Sequence, residues 1–247
     1  MRTTHAHLSH RLMITGVALA VLVLFLGCGI ESTPFIAAPK DDETDATLDP
    51  ASITFLHNEN DNDTLEFSGY ELYYKIYEDE SPGCDSGDEC LEDRRYILDS
   101  PVRTGPSRLR GRSYRRMIDE ASPGQRPNIP VSDSEKGNEF EVELDMYAST
   151  GSEQRTIIAR WPDGPRNLER DVPRDGDPSK NKAFLETDAY TDDDEDLGAV
   201  STSVQEVINN ENLYAAVYAL GFGVEPGSLQ DLYSEPVFLG YVQLRPR

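Results

Sequence analysis

Histidine is nearly absent from the part of the chain that would fold. The sequence has four histidines, and His5, His7 and His10 precede the first long apolar run, which leaves only His57. A Ser–His–Asp or Cys–His mechanism, or a histidine-based metal site, would therefore depend on one residue. The sequence also contains no G-x-S-x-G, Walker or G-x-G-x-x-G motif. We predict no enzymatic activity and no cofactor, and a surface or half-buried position for His57.

A hydrophobic run long enough for a permanent membrane helix is also missing. The main apolar stretch, residues 12–25, has 14 residues without a charge. At about 1.5 Å per residue, such a helix falls short of the ~30 Å hydrocarbon core. Arg2 and Arg11 precede this stretch, and Gly27 follows it. Because basic, apolar and small residues come in the order of a secretory signal, residues 1–27 are predicted to be a signal peptide.

Cys28 follows this segment directly and resembles the acylated cysteine in the lipobox of bacterial lipoproteins. Phe25 stands where an aliphatic residue is usual, which is similar to the relaxed lipoboxes of spirochaete lipoproteins. The resemblance implies that Cys28 is diacylated and anchors an extracytoplasmic protein to a bacterial membrane, the outer in preference to the inner. More than one acyl chain anchors a protein without a spanning helix. The alternative is an ordinary signal peptide or membrane anchor with an incidental cysteine.

Cysteine is scarce as well, with three residues in the chain. Once Cys28 is assigned to the lipid, Cys84 and Cys90 remain as an even pair around a short polar loop with Gly87. Export would place them in an oxidising compartment, and no histidine or further cysteine lies nearby to complete a metal site. We predict a loop-closing disulfide.

Basic residues are few, and acidic residues outnumber them two to one. The chain has 23 basic and 46 acidic residues, a net charge of −23. Residues 1–27 hold two arginines and no acid, so the remainder carries 21 basic and 46 acidic residues, a net charge of −25. A charge of this size repels nucleic acid and anionic headgroups and favours solubility. Nucleic acid is therefore not expected as a partner.

Short strands separated by polar turns dominate the rest of the chain. Residues 28–51 are predicted to be a flexible acidic tether, and residues 52–247 an antiparallel, mainly-β domain. The predicted strands are residues 53–56, 65–77, 94–98, 140–147, 156–161, 212–224 and 233–244, with a helical turn within 201–210. The last two strands are predicted to form a hairpin, residues 123–130 and 162–178 to be loops, and Gly69 to mark a bulge or a close approach of backbone.

Two parts of this pattern resemble fibronectin type III domains. Residues 69–74, GYELYY, are similar to the middle strand of that family, and residues 213–219 and 233–237 resemble its last two strands. The resemblance implies an immunoglobulin-like β-sandwich. It also implies long insertions, around 78–138 and 161–210, because such a sandwich normally has ~100 residues. The pattern is also similar to uncharacterised spirochaete lipoproteins with such a domain.

Carboxylates concentrate at residues 186–196, where seven acids occur without a base. Asp192, Asp194 and Asp196 are weak candidates for Ca²⁺ ligands, because Ca²⁺ prefers hard oxygen ligands. Leu197 stands where the EF-hand turn requires glycine, and a solvated acidic loop is the alternative. A Ca²⁺-stabilised module and a carboxylate-based hydrolase of glycans therefore remain as alternatives, although no spacing singles out a catalytic pair.

The chain also has a basic cluster, with eight arginines between positions 94 and 116. The five candidates for anion binding are Arg108, Arg110, Arg112, Arg115 and Arg116. Guanidinium groups bind carboxylate, sulfate and phosphate through paired hydrogen bonds, so these residues can form a docking patch for an anionic glycan or a protein. The alternative is neutralisation of the chain's own acids. The sequence thus predicts a lipid-anchored envelope protein with a binding or structural role.

Overall fold

The computed structural model describes eight stretches of the chain. They are residues 36–40, 52–78, 89–99, 105–146, 156–175, 177–198, 203–209 and 213–244. The chain divides into two compact units, Met1–Pro34 and Phe35–Arg247, and all of these stretches belong to the second. The predicted signal peptide, Cys28 and Cys84 lie outside the described residues. Within the described residues, no helix is long and apolar enough to cross a membrane.

The fold is mainly β, with antiparallel sheets, as the sequence predicts. The strands are β1 (Ser52–Leu56), β2 (Phe67–Glu78), β3 (Arg115–Arg116), β4 (Ile118–Asp119), β5 (Ile129–Pro130), β6 (Glu141–Asp145), β7 (Ile157–Arg160), β8 (Arg166–Glu169), β9 (Pro173–Arg174), β10 (Asp177–Asn181), β11 (Leu213–Val224), β12 (Asp231–Tyr233) and β13 (Val237–Gln243). The helices are α1 (Glu89–Asp99), α2 (Gly105–Arg110) and α3 (Val204–Asn209), with a 3₁₀ turn at Thr187–Ala189.

The larger sheet is built on the two longest strands, β2 and β11, which pair antiparallel over their full length. β12 and β13 pair with the free edge of β11, and β3 and β5 pair with the free edge of β2. The pairing of β11 with β13 confirms the predicted hairpin. The segments that resemble fibronectin type III strands thus lie side by side.

Both faces of this sheet are covered, because alternate residues of a strand point to opposite faces. Leu72, Tyr74 and Ile76 of β2 join the main hydrophobic core. Tyr73 and Tyr77 on the other face join a second apolar cluster with Cys90 of α1. The tyrosine-rich pattern of β2 therefore reflects burial on both sides.

The smaller sheet has the order β1-β6-β7-β8-β4, and its inner face completes the main core. Phe55 of β1, Val142 of β6 and Ile157 of β7 are fully buried there. The two sheets make a sandwich-like arrangement, and α1 and α2 lie on the outer face of the larger sheet. The predicted insertions contribute strands to both sheets, since β3 and β5 belong to the larger sheet and β4 and β8 to the smaller.

One predicted strand is wrong, because residues 94–98 lie in helix α1. The buried residues of α1 are Cys90, Asp93 and Ile97, whose spacing of three and four follows one face of a helix. Residues 123–130 and 162–178 are not loops throughout, since they contain β5, β8 and β9. The helical turn expected within 201–210 is confirmed as α3.

The predicted flexible tether is wrong for residues 36–40, which are part of the folded domain. Ile36 and Ala37 are buried. The backbone N–H of Ala37 donates to Asn62 Oδ1 at 2.9 Å, and Asn62 Nδ2 donates back to the Ala37 carbonyl at 3.1 Å. Lys40 pairs with Leu56 at the end of β1. The amide of Asn62 thus replaces the missing strand partner of this segment.

Candidate functional site

The five predicted anion-binding arginines lie on α2, on the turn after it and on β3. Leu109 and Tyr114 are buried and anchor this segment, and the N–H of Tyr114 donates to the Leu109 carbonyl at 3.0 Å. Because β3 pairs with the middle of β2, opposite Tyr73 and Tyr74, the segment lies along an edge of the larger sheet. The arginines are therefore held by elements that are themselves packed against the core.

Three of these arginines neutralise the protein's own acids. Arg108 pairs with Glu235, and Arg115 pairs with Glu195. Arg112 lies 3.5 Å from Asp93 Oδ1 and covers the ring of Tyr96 at 4.1 Å. Internal neutralisation therefore accounts for these three residues.

The remaining two predicted residues, Arg110 and Arg116, line a surface cavity of about 730 Å³. Its other lining residues are Ser113, Tyr114, Arg115, Arg126, Asp171 and Glu195. A neighbouring cavity of about 540 Å³ is lined by Arg110, Arg126, Asp231 and Tyr233, among others. Both cavities share Arg110 and Arg126, and together they are called the arginine groove here.

Arg126 is a central residue of the groove that sequence reasoning missed. Its Nε lies 2.5 Å from Glu71 Oε1 and its Nη1 lies 2.9 Å from Asp231 Oδ2, while Nη2 contacts the hydroxyl of Tyr233. The hydrogen bond to Glu71 raises the pKa of the Arg126 guanidinium. Its orientation is thus fixed by three partners on two strands, Glu71 of β2 and both Asp231 and Tyr233 of β12.

Glu71 is a buried carboxylate that holds Arg126 in the groove. It is also the residue from which the sequence could have indicated the groove. This glutamate lies within the apolar strand β2 and is fully buried. Besides Arg126, it accepts a hydrogen bond from the hydroxyl of Tyr73 at 3.0 Å and lies 4.0 Å from Arg116 Nη1. Because a buried carboxylate needs a cationic partner, its position in β2 predicts arginine contacts without identifying which arginine.

Arg110 differs from the other arginines of the groove. Among the described residues no carboxylate lies within 4.0 Å of its guanidinium, and its one hydrogen bond goes to the Tyr73 hydroxyl at 3.5 Å. Its side chain is exposed at the point where the two cavities meet. A guanidinium has five N–H donors, so Arg110 has donors available for an anion.

The acidic loop is organised around a buried arginine instead of a metal ion. Arg170 is fully buried, and its guanidinium donates to Asp194 Oδ2 and to Asp196 Oδ1, each at 2.6 Å. Lys182 Nζ donates to Asp194 Oδ1 at 2.8 Å. Burial by itself would raise the pKa of Asp194, but Arg170 and the bonds from Lys182 and Thr191 outweigh it and lower that pKa.

These contacts correct the Ca²⁺ assignment. Asp194 and Asp196 are occupied by internal cations, and Asp192 Oδ1 accepts the N–H of Val204 at 2.7 Å at the start of α3. The described residues contain no group of three or more histidine, cysteine, aspartate or glutamate side chains suited to a metal ion. Nor is the loop solvated throughout, since the side chains of Asp194 and Asp196 are buried.

His57 is fully buried, which corrects the prediction of a surface or half-buried residue. Its Nε2 lies 2.8 Å from the Lys136 carbonyl and its Nδ1 2.7 Å from the Tyr70 hydroxyl. Since a carbonyl only accepts, Nε2 carries the proton and Nδ1 accepts from Tyr70. Burial lowers the pKa of His57, and its ring stacks on Phe140 at 4.5 Å. Both ring nitrogens are thus used to hold the fold.

Glu169 of β8 is the carboxylate with the most evident shift toward the protonated form. Burial, followed by the nearby charge of Glu120, raises the pKa of Glu169 to about 7. A glycosidase acid needs such a shift and a second carboxylate across a cleft. Glu169 lines neither cavity of the arginine groove, so the two features do not combine into one site.

Cys90 lies in the first turn of α1, is buried and is disulfide-bonded. Its predicted partner, Cys84, lies outside the described residues, so the pairing stays a prediction.

Comparisons of the chain with protein-family models, curated proteins and solved structures found no match.

Proposed function

We propose that this chain is a lipid-anchored protein of a bacterial envelope that binds an anionic ligand in the arginine groove. The proposal has two independent parts, the anchor at Cys28 and the groove. The anchor is supported by the order of a basic, an apolar and a small-residue segment directly before Cys28. Lipidation there would place residues 36–247 outside the cytoplasm.

The single observation that carries the second part is the free donor capacity of Arg110, which lines both cavities. Arg115, Arg116 and Arg126 lie in the same groove. Asp171, Glu195 and Asp231 also line the groove, and Arg115 and Arg126 pair with acids, so Arg110 carries the available positive charge. Such a surface selects ligands whose negative groups can reach guanidinium donors.

An anionic glycan is the ligand class that best fits this groove. Two adjoining cavities of about 730 and 540 Å³ accommodate an extended ligand with charges at intervals better than one small anion. Sugar carboxylates and sulfates accept the paired hydrogen bonds of a guanidinium. The strong overall negative charge disfavours longer polyanions such as nucleic acid, whose phosphates would extend beyond the groove.

The test is titration of the acylated protein in detergent with a short oligogalacturonate, monitored by calorimetry. Arg110→Ala is expected to weaken binding by about tenfold, because a hydrogen bond to a charged group contributes ~1.5–3 kcal/mol. Arg95→Ala is the matched control, since Arg95 is an exposed arginine of α1 outside the groove. It should leave the affinity unchanged.

Three other outcomes would contradict parts of the proposal. Equal losses in Arg110→Ala and Arg95→Ala would mean that only overall charge matters. Equal affinity for an acidic peptide of the same charge would remove the preference for a glycan. If the acylated wild-type protein does not bind the oligogalacturonate, the groove is not a binding site, and the proposal of the anchor is unaffected.

Location in the envelope is tested separately. Protease treatment of intact cells beside lysed cells, followed by immunoblotting, distinguishes surface display from a periplasmic position. Metabolic labelling with palmitate tests the anchor, and Cys28→Ala should abolish incorporation. Incorporation that persists in Cys28→Ala would place the acyl chains elsewhere.

A further inference from the structure

The two most exposed large apolar side chains in the described residues are Leu65 and Leu229. Their exposed fractions are 86% and 77%, against 47% for Leu98 on α1. A single exposed leucine is ordinary on a protein surface, so exposure alone indicates nothing. Their position in the fold is the informative feature.

Leu65 and Leu229 lie at the same end of the larger sheet. Leu65 directly precedes Glu66, whose carbonyl accepts the N–H of Val224 at 3.0 Å. Leu229 lies in the turn after β11, where its own N–H donates to the Glu225 carbonyl at 2.8 Å. The start of β2 and the end of β11 thus bring both leucines to one edge of the domain.

The backbone at Leu229 supports a role for its side chain. Its φ is +57°, in the left-handed region that glycine and asparagine occupy with less strain than leucine. Gln230 and Ser228 beside it are polar, and all three are exposed. Leucine therefore does not favour this turn through its backbone preference, and its side chain is exposed to solvent.

The chain enters the folded domain at this same end. Ile36 and Ala37 pack against the end of β11, where a Cβ added at Gly223 would lie 2.8 Å from Ile36 Cδ1 and one added at Gly221 would lie 2.4 Å from the Ala37 carbonyl oxygen. Eight residue steps separate Ile36 from Cys28, a fully extended reach of at most ~29 Å. β2 alone, with 12 residues, is ~40 Å long. If Cys28 carries the anchor, Ile36 at this end of the sheet lies at most ~29 Å from it, a limit shorter than the length of β2.

We infer that Leu65 and Leu229 form a membrane-contacting edge that inserts into the interface of the bilayer holding the anchor. This inference rests on the proposed acylation of Cys28 and is independent of the arginine groove. Glu66 and Glu225 flank the two leucines, so the contact suits a zwitterionic bilayer and is weakened by anionic lipid.

The experiment uses the acylated full-length protein in phosphatidylcholine vesicles whose acyl chains are brominated. Leu65→Trp and Leu229→Trp each introduce a fluorophore at an exposed position, and Leu98→Trp is the matched control on α1. Interfacial side chains lie ~5–10 Å into the headgroup and acyl boundary, so brominated lipid is expected to lower the added emission about twofold at 65 and 229 and to leave that at 98 unchanged. Emission from Trp161 contributes the same background in all three variants, and circular dichroism verifies that each variant is folded.

Two results overturn the inference, and they are distinguishable. An intact mass without acyl chains on Cys28 removes the anchor and the membrane edge with it, but not the groove. Acylated protein in which Leu65→Trp and Leu229→Trp are quenched no more than Leu98→Trp removes the membrane edge alone. In the second case, dimerisation of the wild-type protein that is lost in Leu229→Ser would assign the two leucines to contact with another copy.

Discussion

Arg170 is the largest fully buried side chain in the described residues, and it is charged. Its guanidinium donates to Asp194, Asp196 and the Ala189 carbonyl, and its face covers the ring of Tyr190 at 4.2 Å. A buried ion pair of this kind adds little net stability over an apolar replacement of the whole cluster. Removing one member is costly, because the others remain charged and unpaired.

Arg170→Met is therefore expected to lower the free energy of unfolding by ~3–5 kcal/mol, measured by urea denaturation at pH 7. Adding Asp196→Asn to this variant should recover part of the loss by removing one unpaired charge. Arg160→Met is the control: Arg160 pairs with Asp145 at 3.0 Å on the surface, so its loss should cost under ~1 kcal/mol. Equal losses at both arginines would contradict the account of the buried cluster.

The buried imidazole of His57 gives the protein a pH dependence of stability. Its folded pKa lies below 6.5, so the unfolded chain takes up the proton first as the pH falls. The stabilisation from neutral His57 is fully present above about pH 6.5 and is lost as the pH falls through the lower folded pKa. Protonation would also replace the Nδ1 acceptor by a donor and break the bond from Tyr70.

Thermal melting between pH 7 and pH 5.5 should therefore show a falling melting temperature. His57→Gln, in which this group cannot be protonated, should show a shallower fall over the same range, whatever its overall stability. A slope that is equal in both proteins would assign the pH dependence to carboxylates instead.

Strand β2 shows how one element combines local and distant constraints. Gly69 has a φ of +144°, and a Cβ there would lie 2.1 Å from the Ile129 carbonyl oxygen. The register between β2 and β11 also shifts beside Gly69. The prediction that Gly69 marks a bulge or a close backbone approach is confirmed on both grounds, since only glycine fits there.

Gly69→Ala is expected to destabilise the protein by ~2–3 kcal/mol, because it combines backbone strain with a backbone clash. Gly227→Ala is the matched control, since a Cβ at Gly227 would meet nothing within 4 Å. The control should change stability by less than ~0.5 kcal/mol. Similar melting temperatures for the two variants would show that β5 can move away from β2.

At the scale of the whole molecule, excess negative charge opposes the compact state. The net charge is −23, and most of the internal cations are already paired. Raising the salt concentration from 10 to 100 mM shortens the screening length from ~30 to ~10 Å, which reduces repulsion among exposed carboxylates. Buried pairs such as Arg170 with Asp196 are screened much less.

The melting temperature is therefore expected to rise over this range of NaCl. KCl at equal concentration should give the same rise, because the effect requires no specific ion. A fall in melting temperature would mean that attractive surface pairs, such as Arg160 with Asp145, outweigh the overall repulsion.

The sequence by itself determined the elements whose signal is local. Strands β2, β11 and β13 were predicted correctly because each is an apolar run with aromatic and β-branched residues, a composition that favours strands and is visible within a few residues. The scarcity of histidine limited the available catalytic chemistry in the same direct way. The pattern failed for α1, where an 11-residue helix with one apolar face and many charges was too short to be distinguished from a strand.

Only the tertiary structure decided which distant groups meet. Arg110 and Arg126 share a groove, Arg170 neutralises the loop taken for a Ca²⁺ site, and residues 36–40 pack into the domain. None of these contacts produces a periodic pattern in the sequence. The partners are far apart along the chain, for example 26 positions for Arg170 and Asp196, and strand order and register bring them together. Composition showed that acids outnumber bases, but the sheet topology determines which acids are buried with a cation and which arginine keeps free donors.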